Sequence, residues 1–513
     1  MKRVIYLILT IALVACDDKL DISNPNRQTT SDFWQTESQA IAGCNAIYAT
    51  LIIDGTYTRM TPALSDGRGD DVTGDSPWPD LVQVSNFTIP TTSGPVQWIW
   101  ADYYRVIWRA NQVLKNTVDI EMDEALKNRI LGQAYFLRGL SYFKLANFYK
   151  VVPLVLATPK KPEDYYPPTA TEEELWNQIY TDFQQAKDLL PASYSNVTGI
   201  DAGQIGRATQ GAATGMLGKS YLYRKEWQKA ADQFKELIDG GKYSLVSNYR
   251  DNFTDANENN SESLFEVQFA DPSQVGGTVM NWGGDPAANW KQASAQACTY
   301  SMDGRGYSDF LPTQWIYNEY KIERTKDNKS DPRLLATIAS YEPDDNSTTV
   351  YGDAWPYAFD KIYPRKYTND GKAGYANEYD LNSGINYRVL RYADILLMYA
   401  EALNELKQTS AAYPYIQQVR DRANLPDLAT TKPGMSQDEM RDQIAHERAL
   451  EFAIEGQRIN DIIRWGWFYD ANKLAMLKSH DADFNLWSEG NEYLPIPQTE
   501  LDVNKKLSPN PAN

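Results

Sequence analysis

Gly218, Ala230 and Phe234 are separated by twelve and then four residues, and Ala400, Ala412 and Ile416 repeat those two intervals far downstream. Small residues at fixed helical positions let two helices cross closely, so an interval set that recurs marks a repeated paired-helix unit rather than a single buried helix. A repeat of this kind cannot bury its apolar face alone and needs neighbours stacked on it. The constraint is strong: the scaffold is helical and layered.

In residues 209-240 the pattern Leu217-Gly218-x-x-Tyr221, Ala230, Phe234 follows tetratricopeptide spacing. Gly139-x-x-Tyr142 opens a third unit whose second helix, Glu172-Leu190, is displaced beyond a long loop, and 37-53 with 97-118 supply a fourth pair. Thr171 with Glu174 three residues on predicts a capping box, Pro191 a stop, and Gly240-Gly241 the end of a helix from Trp227 to Asp239. Pro414 is expected in the first turn of its helix, where a missing N–H costs least. Residues 243-385 differ, with Pro, Gly, Asn, Asp and aromatics in short alternations and one strand pattern, Leu264 to Phe269. Residues 54-96 are a second long irregular segment, and such loops in compact proteins usually carry function. The expected fold is mainly α, built of tetratricopeptide-like hairpins with a loop-rich subdomain containing little β.

Lys2 and Arg3 precede an apolar run from Val4 to Val14, shorter than the roughly 20 residues a spanning helix needs, and Leu13-Val14-Ala15-Cys16 ends it as a lipobox. Cys16 is therefore the expected lipidation site, with 1-15 a signal peptide and 16-35 a polar tether. Lipid chains on Cys16 supply enough buried methylenes for stable anchoring. Of the three cysteines, Cys44 and Cys298 remain, and two free buried thiols are expected. The formal charge of −18 becomes −20 once Lys2 and Arg3 leave, which excludes nucleic acid as a natural partner.

Candidate binding residues come from two places. The stretch SDGRGDDVTGD, Ser65 to Asp75, fails the EF-hand pattern, so no dedicated metal site is expected; Asp66, Arg68, Asp70 and Asp71 are instead expected to bond sugar hydroxyls. Trp78 and Trp98 flank it. The second place is Trp282, Trp290 and Tyr300, among Gly276, Gly277, Gly283 and Gly284, where a Trp beside paired glycines suits an exposed platform. With 14 Trp and 34 Tyr against 15 Phe, the chain favours rings that combine an apolar face with a polar edge, as stacking on sugars requires.

Catalysis has little material. His446 and His480 are the only histidines, which starves His-based metal and nucleophile–base arrangements. Glu447, Glu451 and Glu455 recur every fourth residue among Arg448 and Arg458 in an otherwise apolar run, and are expected to stay ionised in structural pairs rather than serve as a general acid.

That run belongs to a C-terminal block: RYADILLMYAEALNEL from Arg391, VRDRANL from Val419, HERALEFAIEGQRINDIIRWGW from His446 and YLPIPQTEL from Tyr493. Its order, with the lipid-type cysteine followed by Asp17, Asp18 and Asp21, resembles the RagB/SusD family of outer-membrane nutrient-binding lipoproteins. The resemblance implies a helical region over 36-242, an insertion over 243-385 and a C-terminal region over 386-513. It also implies an outward-facing, lipid-anchored protein of the outer membrane, non-catalytic and without a cofactor, that delivers an oligosaccharide or polysaccharide ligand to a SusC-like TonB-dependent transporter. An aromatic arc drawn from the two irregular segments would cradle the glycan. Peptide cargo, and less readily a surface glycoside hydrolase, are the alternatives.

Overall fold

The structure is a computed structural model that describes residues 33–270, 281, 290–381 and 383–510; the expected signal peptide, Cys16 and Trp282 lie outside them. The fold is mainly helical with little strand. Its spine is a sequence of antiparallel neighbours: α1 (Glu37–Ala49), α4 (Gly94–Asn116), α5 (Glu124–Tyr149), α6 (Glu172–Leu189), α7 (Gln210–Tyr223), α8 (Trp227–Asp239), α9 (Tyr392–Glu405) and α10 (Thr409–Arg422), each packed on the next. Two short helices, α2 (Met60–Asp66) and α3 (Pro79–Ser85), fill the gap between α1 and α4 in the chain, and α11 (Gln437–Phe452), α12 (Arg458–Trp465) and α13 (Ala471–His480) complete it. All four expected helix pairs form.

Local chemistry sets the helix ends. Thr171 accepts from the Glu174 N–H while the Glu174 carboxylate accepts from the Thr171 N–H, and Gly240 caps α8. Pro414 does not sit in the first turn. Helix α10 begins earlier, at Thr409, whose hydroxyl donates to Asn404 Oδ1 at 2.8 Å, so Pro414 falls in the interior and leaves one backbone carbonyl without its helical donor. The small residues do what their spacing predicts: a Cβ on Gly218 would stand 2.6 Å from Phe234 Cε1.

The loop-rich region is tied down by three-to-five-residue ladders. Strand β1 (Val72–Gly74) pairs antiparallel with β3 (Phe310–Pro312), β2 (Ser263–Val267) with β6 (Tyr387–Arg391), and β4 (Ile338–Ser340) with β5 (Ile362–Pro364). Since β6 runs directly into α9, the irregular region is joined to the C-terminal helices rather than hung beside them.

The charged C-terminal run is buried and paired, although not within itself. Helix α11 ends at Phe452, and Arg448 and Arg458 do not neutralise the glutamates. Glu447 is held by Arg333 at 2.7 Å and Arg420 at 3.2 Å, Glu451 by Arg391 at 3.0 Å with Arg333 and Arg422, and Glu455 by Lys366 at 2.9 Å and Arg391 at 2.8 Å. Burial pushes the Glu451 carboxyl up, yet Arg422, Arg391 and Arg333 outweigh it and hold it at about 2. Arg448 instead joins Asp394 and Asp461 at 2.7 Å each, and Lys219 reaches Asp394 at 2.7 Å, so one ionic chain crosses α7, α9, α11 and α12. His446 contacts Glu319 at 2.9 Å, as a satisfied helix histidine should. Cys44 and Cys298 are free and buried.

Candidate functional site

The carboxylates of the Ser65–Asp75 stretch are not offered to a ligand. Asp66, Arg68, Asp70 and Asp71 are all buried and bonded to the protein itself, Asp71 through one of its two carboxylate oxygens. Asp66 accepts from the Tyr300 hydroxyl at 2.7 Å and from the Gly456 N–H; Asp71 accepts from the Ile454 N–H at 3.0 Å. Asp70 takes the Arg458 fork, Nη2 at 3.0 Å, and His480 Nδ1 at 2.7 Å. The Arg68 guanidinium donates to the Leu64 and Glu492 carbonyls at 2.9 and 2.6 Å. Tyr300, 1% exposed, is part of the same interior.

This overturns the expectation that these five residues meet sugar, and the reason is spatial. Gly69 lets the Arg458 stem approach to within 3.1 Å of where a Cβ would be, so the acidic turn slots into the C-terminal half as a clasp. The electrostatics agree. Burial raises Asp66 to about 7, with Asp71 adding to it, and raises Asp71 to about 6. At Asp70 burial acts upward too, but Arg458 and His480 bring it down to about 2.

Partly exposed aromatic rings instead gather just past the clasp, where the two irregular segments meet. The β1–β3 register sets Gly74 opposite Phe310, so the residues after β1 run beside those before β3, and the Asp75 N–H donates to the Asp309 carbonyl at 2.9 Å. That places Trp78 next to Tyr307. Arg59 lies between them, its guanidinium 5.4 Å from each ring centroid. Arg59 is itself fixed, with Nε donating to Thr299 Oγ1 at 3.0 Å and Nη2 to Asp309 Oδ2 at 2.9 Å.

The row of rings extends at both ends. Trp78 is held extended by Pro79, which follows it, and meets Trp98 at 5.9 Å and 42°. Trp98 leans back over the first turn of α4, where a Cβ on Gly94 would lie 3.2 Å from its Cζ2. At the other end Tyr307 and Tyr379 meet edge to face at 6.2 Å, with 39% and 46% of their surfaces exposed. Asp75, Asp303 and Lys361 are exposed close by. Desolvation holds the Asp75 carboxyl above its usual value, Lys361 opposing and Asp303 adding. The result is an arc of two part-buried tryptophans and two exposed tyrosines edged with hydroxyls and charges, suited to stacking on apolar ring faces while bonding polar edges.

Trp290 stands apart. Its ring lies 5.3 Å from the Arg109 guanidinium. Arg109 shares a face of α4 with Trp98, about 16 Å along the axis at 1.5 Å per residue. Of the residues expected from sequence, then, the structure joins Trp78 and Trp98, removes five to the interior and sets Trp290 further along one helix. Sequence reasoning missed Arg59, Tyr307 and Tyr379. Tyr307 follows Gly304-Arg305-Gly306 and carried the same glycine-flanked signal as the tryptophans, whereas Arg59 carried none.

Comparison with known proteins settles the family. A model described as the SusD family matches residues 261–512, and one described as starch-binding associating with the outer membrane matches residues 19–222. The chain belongs to the SusD family. SusD-like protein P2 of Formosa agariphila is 28% identical over 535 aligned residues, covering 99% of this chain and 98% of that protein. A crystal structure of a SusD superfamily protein from Bacteroides vulgatus matches with TM-score 0.80 and 27% identity, over 94% of this chain and 100% of that one. A laminarin-binding SusD-like protein matches with TM-score 0.75 and 27% identity, over 93% and 100%. The arc of this SusD-family chain draws one half from each matched region: Trp78 and Trp98 from the first, Tyr307 and Tyr379 from the second.

Proposed function

We propose that this protein is a non-catalytic cell-surface receptor that stacks an oligosaccharide along Trp98, Trp78, Tyr307 and Tyr379 and passes it to a SusC-like TonB-dependent transporter. The observation that carries the reading is the arc itself, four rings held at fixed angles around a pinned cation on an exposed face. Lipidation at Cys16 and the polar tether to residue 35 give the receptor its place on the outer membrane, facing outward. The similarity to a laminarin-binding protein supports a glycan as the cargo class. Asp75, Asp303 and Lys361 bond hydroxyls at the edges of the stacked rings.

The test is isothermal titration of the soluble chain from Asp17 onward against maltohexaose, laminarihexaose, cellohexaose and mannohexaose. Tyr307→Ala and Trp98→Ala are each expected to weaken binding of the hexaose that fits by about fivefold, in line with about 1 kcal/mol per stacked ring. Unchanged affinity in the Trp98→Ala/Tyr307→Ala/Tyr379→Ala protein removes the arc as the site. Release of reducing ends from a polysaccharide by the purified wild type overturns the non-catalytic reading. Co-purification of peptides with the native complex shifts the cargo to peptides.

A further inference from the structure

A second hollow, of about 500 Å³, lies on the opposite set of elements, between α8, α9, α11, α12 and α13. Its walls carry Trp227, Trp465 and Trp467. We propose that it is a second carbohydrate site, for one neutral sugar unit or chain end, a proposal that rests on the glycan reading above.

Three features point to that class. The first is Trp227, the first residue of α8. The buried positions of that helix are Ala230, Ala231, Phe234 and Leu237, whereas Trp227 is only partly buried, packing against the core on one side and lining the hollow on the other; among the described residues no ring and no cation stacks on it. A large amphipathic ring left in that state is a platform for a polyhydroxylated ring.

The second is the way Trp465 is fixed. Its indole N–H donates to Glu401 Oε1 at 2.9 Å, and the same carboxylate takes the Arg464 fork, Nη2 at 2.8 Å, with the guanidinium 4.7 Å from the Trp465 centroid. This part of the wall is therefore set before any ligand arrives. Preset walls spare the ligand the cost of ordering them.

The third is charge. The hollow is lined by four cations and four carboxylates, and all but Lys225 are paired with one another: Arg441 with Glu405 at 2.6 Å and with Asp438, Lys473 with Asp442 at 2.7 Å, and Arg464 with Glu401. The lining charges sum to zero, which favours a neutral ligand over an anionic or cationic one. Paired carboxylates keep unused lone pairs and paired guanidiniums unused N–H groups, which together match vicinal hydroxyls. The volume lies within the range of small-ligand cavities. No element of this hollow carries a ring of the arc, so the two sites bind independently.

The experiment uses the full soluble chain with the arc removed, Trp98→Ala/Tyr307→Ala/Tyr379→Ala, titrated with the same four neutral hexaoses and followed by native mass spectrometry for stoichiometry. Expected is one weakly bound equivalent of at least one hexaose, lost by at least tenfold when Trp227→Ala is added and retained with Trp227→Phe. Thermal melts confirm that each variant is folded. Absence of binding to the arc-less protein while wild type binds one equivalent overturns the second site and leaves the arc intact. Unchanged binding on adding Trp227→Ala also overturns it. Two equivalents on wild type with unchanged affinity in the arc-less protein would sink the arc instead. No binding by either protein sinks both.

Discussion

At the scale of single residues, the acidic turn shows how one composition serves two opposite ends. Asp66, Asp70 and Asp71 look like exposed sugar ligands in sequence because Asp beside Gly is the signature of a turn, and nothing local records that Arg458, Ile454 and Gly456 arrive from nearly four hundred residues away. Asp70→Asn strands Arg458 as a buried unpaired charge and is expected to lower unfolding stability by about 3–5 kcal/mol, read from urea midpoints at pH 7. The pH profile follows from the signs. Asp70 and Glu451 are depressed to about 2 from ordinary values of 3.8 and 4.5, so their contribution is full above those ordinary values and is lost as pH falls toward about 2. Asp66 is raised to about 7, so the folded state holds its proton and the associated stability declines as pH rises from about 4 through about 7. Asp66→Asn, which carries no charge at any pH, is expected to flatten that decline and to melt higher than wild type at pH 8. A steeper alkaline decline in the variant would contradict it.

Among the elements, the helical stack was readable because its information is periodic. The twelve-and-four interval that links Gly218 to Ala230 and Phe234 is a statement about one face of two adjacent helices, and the structure returns it as a steric one, 2.6 Å from a Cβ at Gly218 to Phe234. Gly218→Val is therefore expected to overpack the crossing of α7 and α8 at a cost of about 1–3 kcal/mol. Pairing it with Phe234→Leu should recover part of that loss, measured as a non-additive double-mutant cycle in thermal melts; strict additivity would show that the two positions do not meet. The paired glutamates were also visible in sequence as ion-pair formers, yet their partners were not, since Arg333, Arg391 and Arg420 come from other elements. Pro414 marks the same boundary of legibility. A proline reports that a helix is near, but not where it starts, which is five residues earlier at Thr409.

Over the whole molecule, three-part division by composition conceals how the parts are joined. Residues 36-242 look self-sufficient, but α8 packs on α9, and Lys219 of α7 lies buried against Asp394 of α9. The fragment 36-242 is expected to show no cooperative melt on its own, while the full soluble chain gives one calorimetric transition. Two well-separated transitions in the full chain would contradict the joined architecture. The aromatic arc was half legible for the same reason: Trp78 and Trp98 stood out as rings beside a turn, but their continuation through Arg59 to Tyr307 depends on the pairing of β1 with β3 and on the hold of Thr299 and Asp309 on Arg59. That short ladder has an evolutionary reading. Trp98 is fixed on α4 and Trp78 beside it, whereas Tyr307 hangs from the segment leading into β3, so lengthening or trimming that segment re-angles one end of the platform while the long helix crossings stay as they were. Descendants of this chain are free to change diet without having to learn to fold again.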